Sequence, residues 1–154
     1  MKTRFDRAVQ ALVSAYMNDT LEGANCSACA VGNMIAFNLG IKVAKGYGFF
    51  FGDAGWVNND PRWQDVFCSR GDGSQKIEPE WYVDEAKKQI DSTGYTYEEL
   101  AKVEKGFETS MRTDPSQFNA LMKVVDLLCE IEGITDSAEY KALFAGKALA
   151  EAGV

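Results

Sequence analysis

Helix start and stop signals recur along most of the chain, and they constrain the fold more than any other feature. Thr96 is followed three residues later by Glu99, the spacing of a full capping box, and Thr3 with Asp6 repeats it in a weaker form. Apolar residues follow each signal at the spacing of one helix face. The pattern predicts a mainly α chain, a compact bundle of about six helices in a single domain spanning residues 1–154.

Capping residues and glycines predict where individual helices begin and end. The second helix is expected to begin near the cysteines, with Asn25 or Ser27 as its N-cap, and to end at Gly40. In the C-terminal half, Asp114 and Asp136 are the predicted N-caps of the last two helices. The apolar stripes of this half predict a core that includes Phe107, Leu121, Val125 and Leu128.

An irregular insert, residues 41–77, separates the second and third predicted helices. It holds six of the chain's 14 glycines, and a short β-hairpin fits the run from Tyr47 to Phe51. Nine of the 18 aromatic residues lie between positions 47 and 82. Loops of this length are uncommon in compact domains and are often functional.

Aromatic rings beside arginines can form a pocket for a planar ligand, because the rings stack and the guanidinium groups orient a phosphate or carboxylate. The alternative interpretation is that the rings anchor the insert to the core. The predicted ligand-binding residues are Tyr47, Phe50, Trp56, Trp63, Arg62 and Arg70.

The cysteines allow a second kind of function. Cys26 and Cys29 form a CxxC pair, which in a cytosolic chain indicates redox chemistry or a metal. A thiolate at the start of a helix is stabilised by the helix dipole. A zinc site would use Cys26, Cys29 and Cys129. Zinc sites typically contain two CxxC pairs, however, and the remaining cysteines of this chain do not form a second pair. This favours structural roles for the cysteines. The expectation is therefore a protein without a metal cofactor.

The chain carries the motif Cys26-x-x-Cys29-Ala30-Val31-Gly32-Asn33 and, downstream, Gly94-Tyr95-Thr96-x-x-Glu99-Leu100. With Val125-x-x-Leu128-Cys129, these motifs resemble those of a family of small uncharacterised bacterial and phage proteins. Some members are labelled as a component of Na+-translocating NADH-quinone reductase. That label implies a plant-type ferredoxin domain and a flavin domain, and this chain has neither the cysteine spacing nor the length for them. The resemblance implies a recurring fold and a recurring cysteine trio, Cys26, Cys29 and Cys129, without a known activity.

Charge and composition exclude several classes of function. The chain contains no histidine, so Ser-His-Asp triads and His-based proton shuttles cannot be built within it. The net charge is −7, and residues 78–154 hold sixteen acidic and eight basic side chains. Such a surface repels phosphate backbones and anionic membranes. No nucleic-acid or membrane partner is therefore expected, and the absence of an apolar leader predicts a cytoplasmic protein.

The sequence thus predicts a non-catalytic cytosolic binding protein that uses its aromatic insert to hold a small molecule or a protein partner. By analogy with small acidic phage proteins, a sequestering or counter-defence role is included in this hypothesis. The alternative is a cysteine-based protein that binds metal or undergoes thiol redox chemistry. An enzyme using only carboxylates is the weakest of the three interpretations.

Overall fold

The computed structural model describes residues 2–21, 29–40, 43–44, 48–49 and 88–147, and this part of the chain is mainly helical, as predicted. Residues 88–92 and 145–147 are helical in addition to the named elements. Strands β1 and β2 pair antiparallel, with Val43 opposite Phe49. The elements are α1 (Arg4–Met17), α2 (Ala30–Leu39), β1 (Val43–Ala44), β2 (Gly48–Phe49), α3 (Tyr97–Thr113), α4 (Gln117–Glu132) and α5 (Ala138–Ala142).

The four longer helices pack as a closed ring. Helix α1 contacts α2 and α4, α3 contacts the same two helices from the other side, and α5 packs on α4. Each helix therefore buries an apolar face against two neighbours, which is the general route by which amphipathic helices gain stability. Side chains that are wholly buried in this core include Leu12, Met34, Ile35, Leu100, Phe107, Leu121, Leu128 and Phe144.

The capping boxes predicted from the sequence are present. The Thr3 hydroxyl accepts from the backbone amide of Asp6, and the Asp6 carboxylate accepts from the amide of Thr3. The Thr96 and Glu99 side chains make the same reciprocal pair at the start of α3. These bonds satisfy amides that have no partner inside the helix, and they fix where α1 and α3 begin.

Helices α3 and α4 lie close together at Gly106. A Cβ atom at this position would overlap the Cδ1 atom of Leu127 on α4. The predicted burial of Phe107, Leu121, Val125 and Leu128 is confirmed. The contact holds α3 in a fixed register against α4, and this register determines which α3 side chains face α2.

Helix α2 begins near the cysteines, as predicted, but three predicted N-cap residues are wrong. The N-cap of α2 is Cys29, and the N-cap of α4 is Ser116. Because proline forces the preceding residue into an extended conformation, Asp114 ends α3 rather than starting α4. The N-cap of α5 is Ser137, whose side chain makes no capping bond, while the Asp136 carboxylate accepts from the amide of Ala138.

Within the described ranges, no helix combines the length and the apolar character needed to cross a membrane.

Candidate functional site

A buried thiol stands at the start of α2. Cys29 is fully buried and adopts the extended backbone of an N-cap, and its Sγ accepts from the backbone amide of Gly32 at 3.3 Å. The buried side chain of Asn33 donates to the Cys29 carbonyl at 3.0 Å and to the carbonyl of Thr20 at 3.1 Å. The thiol is therefore held in one position between the end of the α1 region and the first turn of α2.

A buried carboxyl from α3 meets this thiol. Glu104 is 6% exposed, and its carboxyl accepts hydrogen bonds from the Cys29 thiol and from the backbone amide of Val31. Through the Val31 contact, a glutamate of one helix satisfies an amide at the N-terminus of another. Cys29 and Glu104 are 75 residues apart in sequence, so the packing of α2 on α3 creates the pair.

Burial controls the protonation of both groups. It raises the pKa of the Cys29 thiol well above its usual range, and the neighbouring Glu104 carboxyl raises it further, while the Gly32 amide acts in the opposite direction. Burial likewise raises the pKa of Glu104 to about 8, against the lowering effect of the Cys29 hydrogen bond. Since the charged form of either group is disfavoured away from water, the thiol is neutral at pH 7 and the carboxyl is largely protonated.

A second carboxylate adjoins the first. Glu108 follows Glu104 by one helical turn, is half-buried, and raises the pKa of Glu104 through its charge and through a hydrogen bond between the two side chains. The Oε2 atom of Glu104 has no donor partner among the described residues. A proton on this oxygen would be donated to Glu108, which explains how a buried carboxyl oxygen can face another carboxylate.

The sequence contains a signal for this site that the predictions above do not use. Glu104 occupies the apolar stripe of α3, together with Leu100, Val103 and Phe107, at the i, i+3, i+4, i+7 spacing of a buried face. A glutamate on such a stripe is unusual, because acidic side chains are almost never fully buried without a partner. The stripe predicts the core correctly, and its one acidic member marks the place where that core contains a polar pair.

A second cluster of charged groups lies around Arg4. Its guanidinium contacts Glu132 at 2.8 Å and Glu99 at 3.1 Å, donates to the carbonyl of Gly94 at 3.0 Å, and stacks 4.3 Å from the centre of the Tyr95 ring. Here each carboxylate has a cation and further donors, and the cluster joins α1 to α3 and α4. We interpret it as a structural clamp.

Cys129 lies elsewhere in the fold. It is buried on α4, burial raises the pKa of its thiol, and its ionisable neighbours are Asp126, Lys141 and Asp136. In the parts of the chain that the structure describes, none of these neighbours is shared with Cys29, and no disulfide joins the two cysteines. Among the described residues, no group of three or more cysteine and acidic side chains could hold a metal ion.

A shallow groove of about 430 Å³ between α1 and the α5 region has no residue in common with the Cys29–Glu104 pair, and it is lined by Lys2, Asp6, Val9, Gln10, Val13, Tyr140 and Leu143.

The residues predicted to bind a ligand, and the first cysteine of the CxxC motif, lie outside the described part of the chain: Cys26, Tyr47, Phe50, Trp56, Arg62, Trp63 and Arg70.

Comparison of the chain with protein-family models, with curated proteins and with solved structures gives no match. Its function must therefore be inferred from the chemistry of the site.

Proposed function

We propose that the protein carries out thiol–disulfide exchange through Cys26 and Cys29, and that Glu104 takes up and returns the proton of the Cys29 thiol. One observation carries the proposal: a buried carboxyl with a pKa of about 8 is hydrogen-bonded to the second cysteine of a CxxC motif. Such perturbed groups cluster at functional sites, because catalytic acids and bases need a pKa near the operating pH. Cys26 lies outside the described residues, and its role comes from the motif spacing.

The exchange proceeds in two steps. In the first, the Cys26 thiolate attacks one sulfur of a substrate disulfide, which forms a mixed disulfide and releases one substrate thiolate. In the second, Cys29 gives its proton to the carboxyl and attacks the Cys26 sulfur, which releases the second thiolate. Both released thiolates take up protons, so the substrate gains two electrons as two thiols and the protein loses two as a Cys26–Cys29 disulfide. A cellular dithiol restores the reduced protein by the reverse exchange.

The described geometry supports the second step in particular. The attacking group in thiol exchange is the thiolate, and burial keeps Cys29 neutral, so the thiol needs a base within hydrogen-bond reach. The ionised form of Glu104 provides that base, and with a pKa of about 8 it is a minor fraction at pH 7 that grows as the pH rises. When the proton leaves, the Gly32 amide already points at the sulfur and stabilises the developing charge.

The metal-binding alternative requires Cys26, Cys29 and Cys129 in one place. The separate neighbours of Cys29 and Cys129 favour exchange over a shared zinc site. Elemental analysis of the purified protein distinguishes the two: exchange predicts no stoichiometric zinc or iron and a melting temperature unchanged by a chelator, whereas one metal per chain would favour the alternative.

The direct test equilibrates the protein with mixtures of reduced and oxidised dithiothreitol, alkylates the free thiols and maps the products by mass spectrometry. The proposal predicts a disulfide between Cys26 and Cys29 that forms reversibly. Cys29→Ser should abolish it, and Cys129→Ser, the matched control for a buried cysteine, should leave it intact. Glu104→Gln should slow its formation at pH 7 by about 100-fold, the lower end of general acid–base effects. Full alkylation of Cys26 and Cys29 at every potential would overturn the proposal.

The binding function expected of the aromatic insert stays a separate prediction. If the insert recognises a ligand, Trp56→Ala and Trp63→Ala should leave the thermal melt unchanged, while an insert that only packs should lose about 3–5 kcal/mol in either variant. A cytoplasmic location remains part of the proposal, since cellular reductants there keep a CxxC pair as a dithiol.

A further inference from the structure

Resting on the proposed function, we propose that Glu108 is a positioning residue that carries the proton of the Cys29 thiol between the buried carboxyl of Glu104 and solvent. The proposal comes from the order of three groups across the interface of α2 and α3. The thiol is fully buried, Glu104 is almost fully buried behind it, and Glu108 is half-buried one turn further along the helix.

The two carboxyl oxygens of Glu104 differ in their hydrogen-bond partners. One accepts from Cys29 and Val31, and the other, Oε2, has no donor partner in the described part of the chain. Glu108 is hydrogen-bonded to the same carboxyl. A buried oxygen left without a donor is costly, and a proton held there and donated to Glu108 removes the cost. The site thus contains one proton shared by two carboxyl groups.

With this arrangement the proton can leave without a charge on Glu104. Cys29 passes its proton to the oxygen it already contacts, while the Oε2 proton passes to Glu108. Before the step the carboxyl pair holds one proton and one negative charge; after it the pair holds two protons and the sulfur carries the charge. Glu108 then releases its proton to water. Moving a proton in this way avoids the unfavourable buried carboxylate.

Among the described residues, the ionisable groups that act most on Glu104 are Cys29 at the cap of α2 and Glu108 on its own helix. From α4, Lys123 reaches α3 at Gly106, on the side of the helix that faces Leu127. The titration of Glu104 therefore depends on both glutamates.

The test compares Glu108→Gln with Glu98→Gln, an exposed glutamate of the same helix, in the whole chain. Carbon-13 NMR of the reduced protein follows the titration of the Glu104 carboxyl, and oxidised dithiothreitol serves as the probe for the rate of disulfide formation against pH. Glu108→Gln should lower the titration midpoint of Glu104, because a like charge is removed. It should also slow disulfide formation at pH 7 by about tenfold. Glu98→Gln should change neither quantity.

An unchanged Glu104 midpoint together with an unchanged pH–rate profile in Glu108→Gln would overturn the relay. If Glu108→Gln does not fold, Glu108→Asp provides the second variant: it keeps the acid and should retain the raised midpoint of Glu104. The failure of the proposed function would look different. In that case no disulfide forms in the wild type, while the NMR titration still decides whether the two glutamates share a proton.

Discussion

Glu99 and Glu104 lie five residues apart on α3 and have opposite electrostatic behaviour. Burial acts to raise the pKa of Glu99, but hydrogen bonds from Thr96 and the Arg4 guanidinium outweigh it, and the pKa lies below its usual range. Burial raises the pKa of Glu104 to about 8, because its neighbours are a thiol, one amide and another carboxylate. Residue type and helix are the same in both cases, so the difference comes from the partners.

The comparison separates a carboxylate whose charge is compensated from one whose charge is not. The charge of Glu99 is compensated by a cation and by the donors of the capping box. The ion pair that results holds two helices together. The charge of Glu104 meets no cation in the described ranges, so the group holds a proton that it can exchange near neutral pH. A helix bundle can therefore carry both kinds of site within two turns of one helix when neighbouring elements supply different partners.

The largest expected effect belongs to the core that supports both sites. Leu128 is wholly buried on α4, and Leu128→Ala should lower the free energy of unfolding by about 2–5 kcal/mol, from lost burial and the cavity left behind. Urea titration measures it, and the slope of the titration should stay constant. A loss below about 1 kcal/mol would contradict the burial of this face.

The pH dependence of stability tests the difference between the two glutamates directly. The folded-state pKa of Glu104, about 8, lies above the unfolded value near 4.5, so the folded chain binds more protons between these values. The contribution of Glu104 to stability is therefore complete at low pH and is lost as pH rises towards 8, by an amount on the order of a few kcal/mol. Glu104→Gln should remove this fall.

Glu99→Gln is the matched control. The lowered pKa of Glu99 contributes stability above its unfolded value and loses it as pH falls, so this variant should weaken the protein at neutral pH and change little in acid. Denaturant titrations from pH 4 to pH 9 measure both variants. Equal pH profiles for Glu104→Gln and the wild type would break the comparison.

The sequence predicted the site of Glu99 better than the buried pair of Cys29 and Glu104. The capping box of Thr96 and Glu99 is a local pattern, and it gave both the start of α3 and the position of one carboxylate. The two ion pairs of Arg4 join residues 95 and 128 positions apart, and the contact between Cys29 and Glu104 spans 75 positions. Such contacts depend on how the helices pack, which local spacing does not encode.

The helix ends show the same limit on a smaller scale. Glycine at position 40 ends α2, as predicted, in a left-handed conformation that suits glycine. The predicted N-cap of α2 is wrong because cysteine is not a preferred N-cap, whereas Asn25 and Ser27 match the usual preference. The sulfur of Cys29 can act as a cap because Glu104 and Asn33 hold the thiol and its carbonyl in place.

A smaller effect is expected from removing the cation of the structural clamp. Arg4→Ala leaves Glu99 and Glu132 partly buried without their cation, and it should cost about 1–2 kcal/mol at neutral pH, since both carboxylates still reach water. It should also raise the pKa of Glu99 and leave that of Glu104 unchanged. Lys102→Ala, which removes an exposed pair with Glu130, should cost less than about 0.5 kcal/mol.

The last comparison concerns two glycines with left-handed backbones. Gly94 has φ +82° and Gly133 has φ +74°, so alanine at either position should cost about 1–2 kcal/mol in backbone strain. At Gly133 a Cβ would meet open space, whereas at Gly94 it would lie 2.9 Å from the Cβ of Arg4. Gly94→Ala should therefore cost about 1 kcal/mol more than Gly133→Ala, because it displaces the Arg4 backbone as well.

The second readout for these variants is the titration of Glu99 by NMR. Gly94→Ala moves the guanidinium away from its carboxylates, and the pKa of Glu99 should rise, while Gly133→Ala should leave it where it is. Glu104 should titrate as in the wild type in both variants, because neither glycine touches the α2–α3 contact. A shift of Glu104 in Gly94→Ala would mean that the clamp and the thiol site are coupled through α3, and the two glutamates would then have to be described as one system.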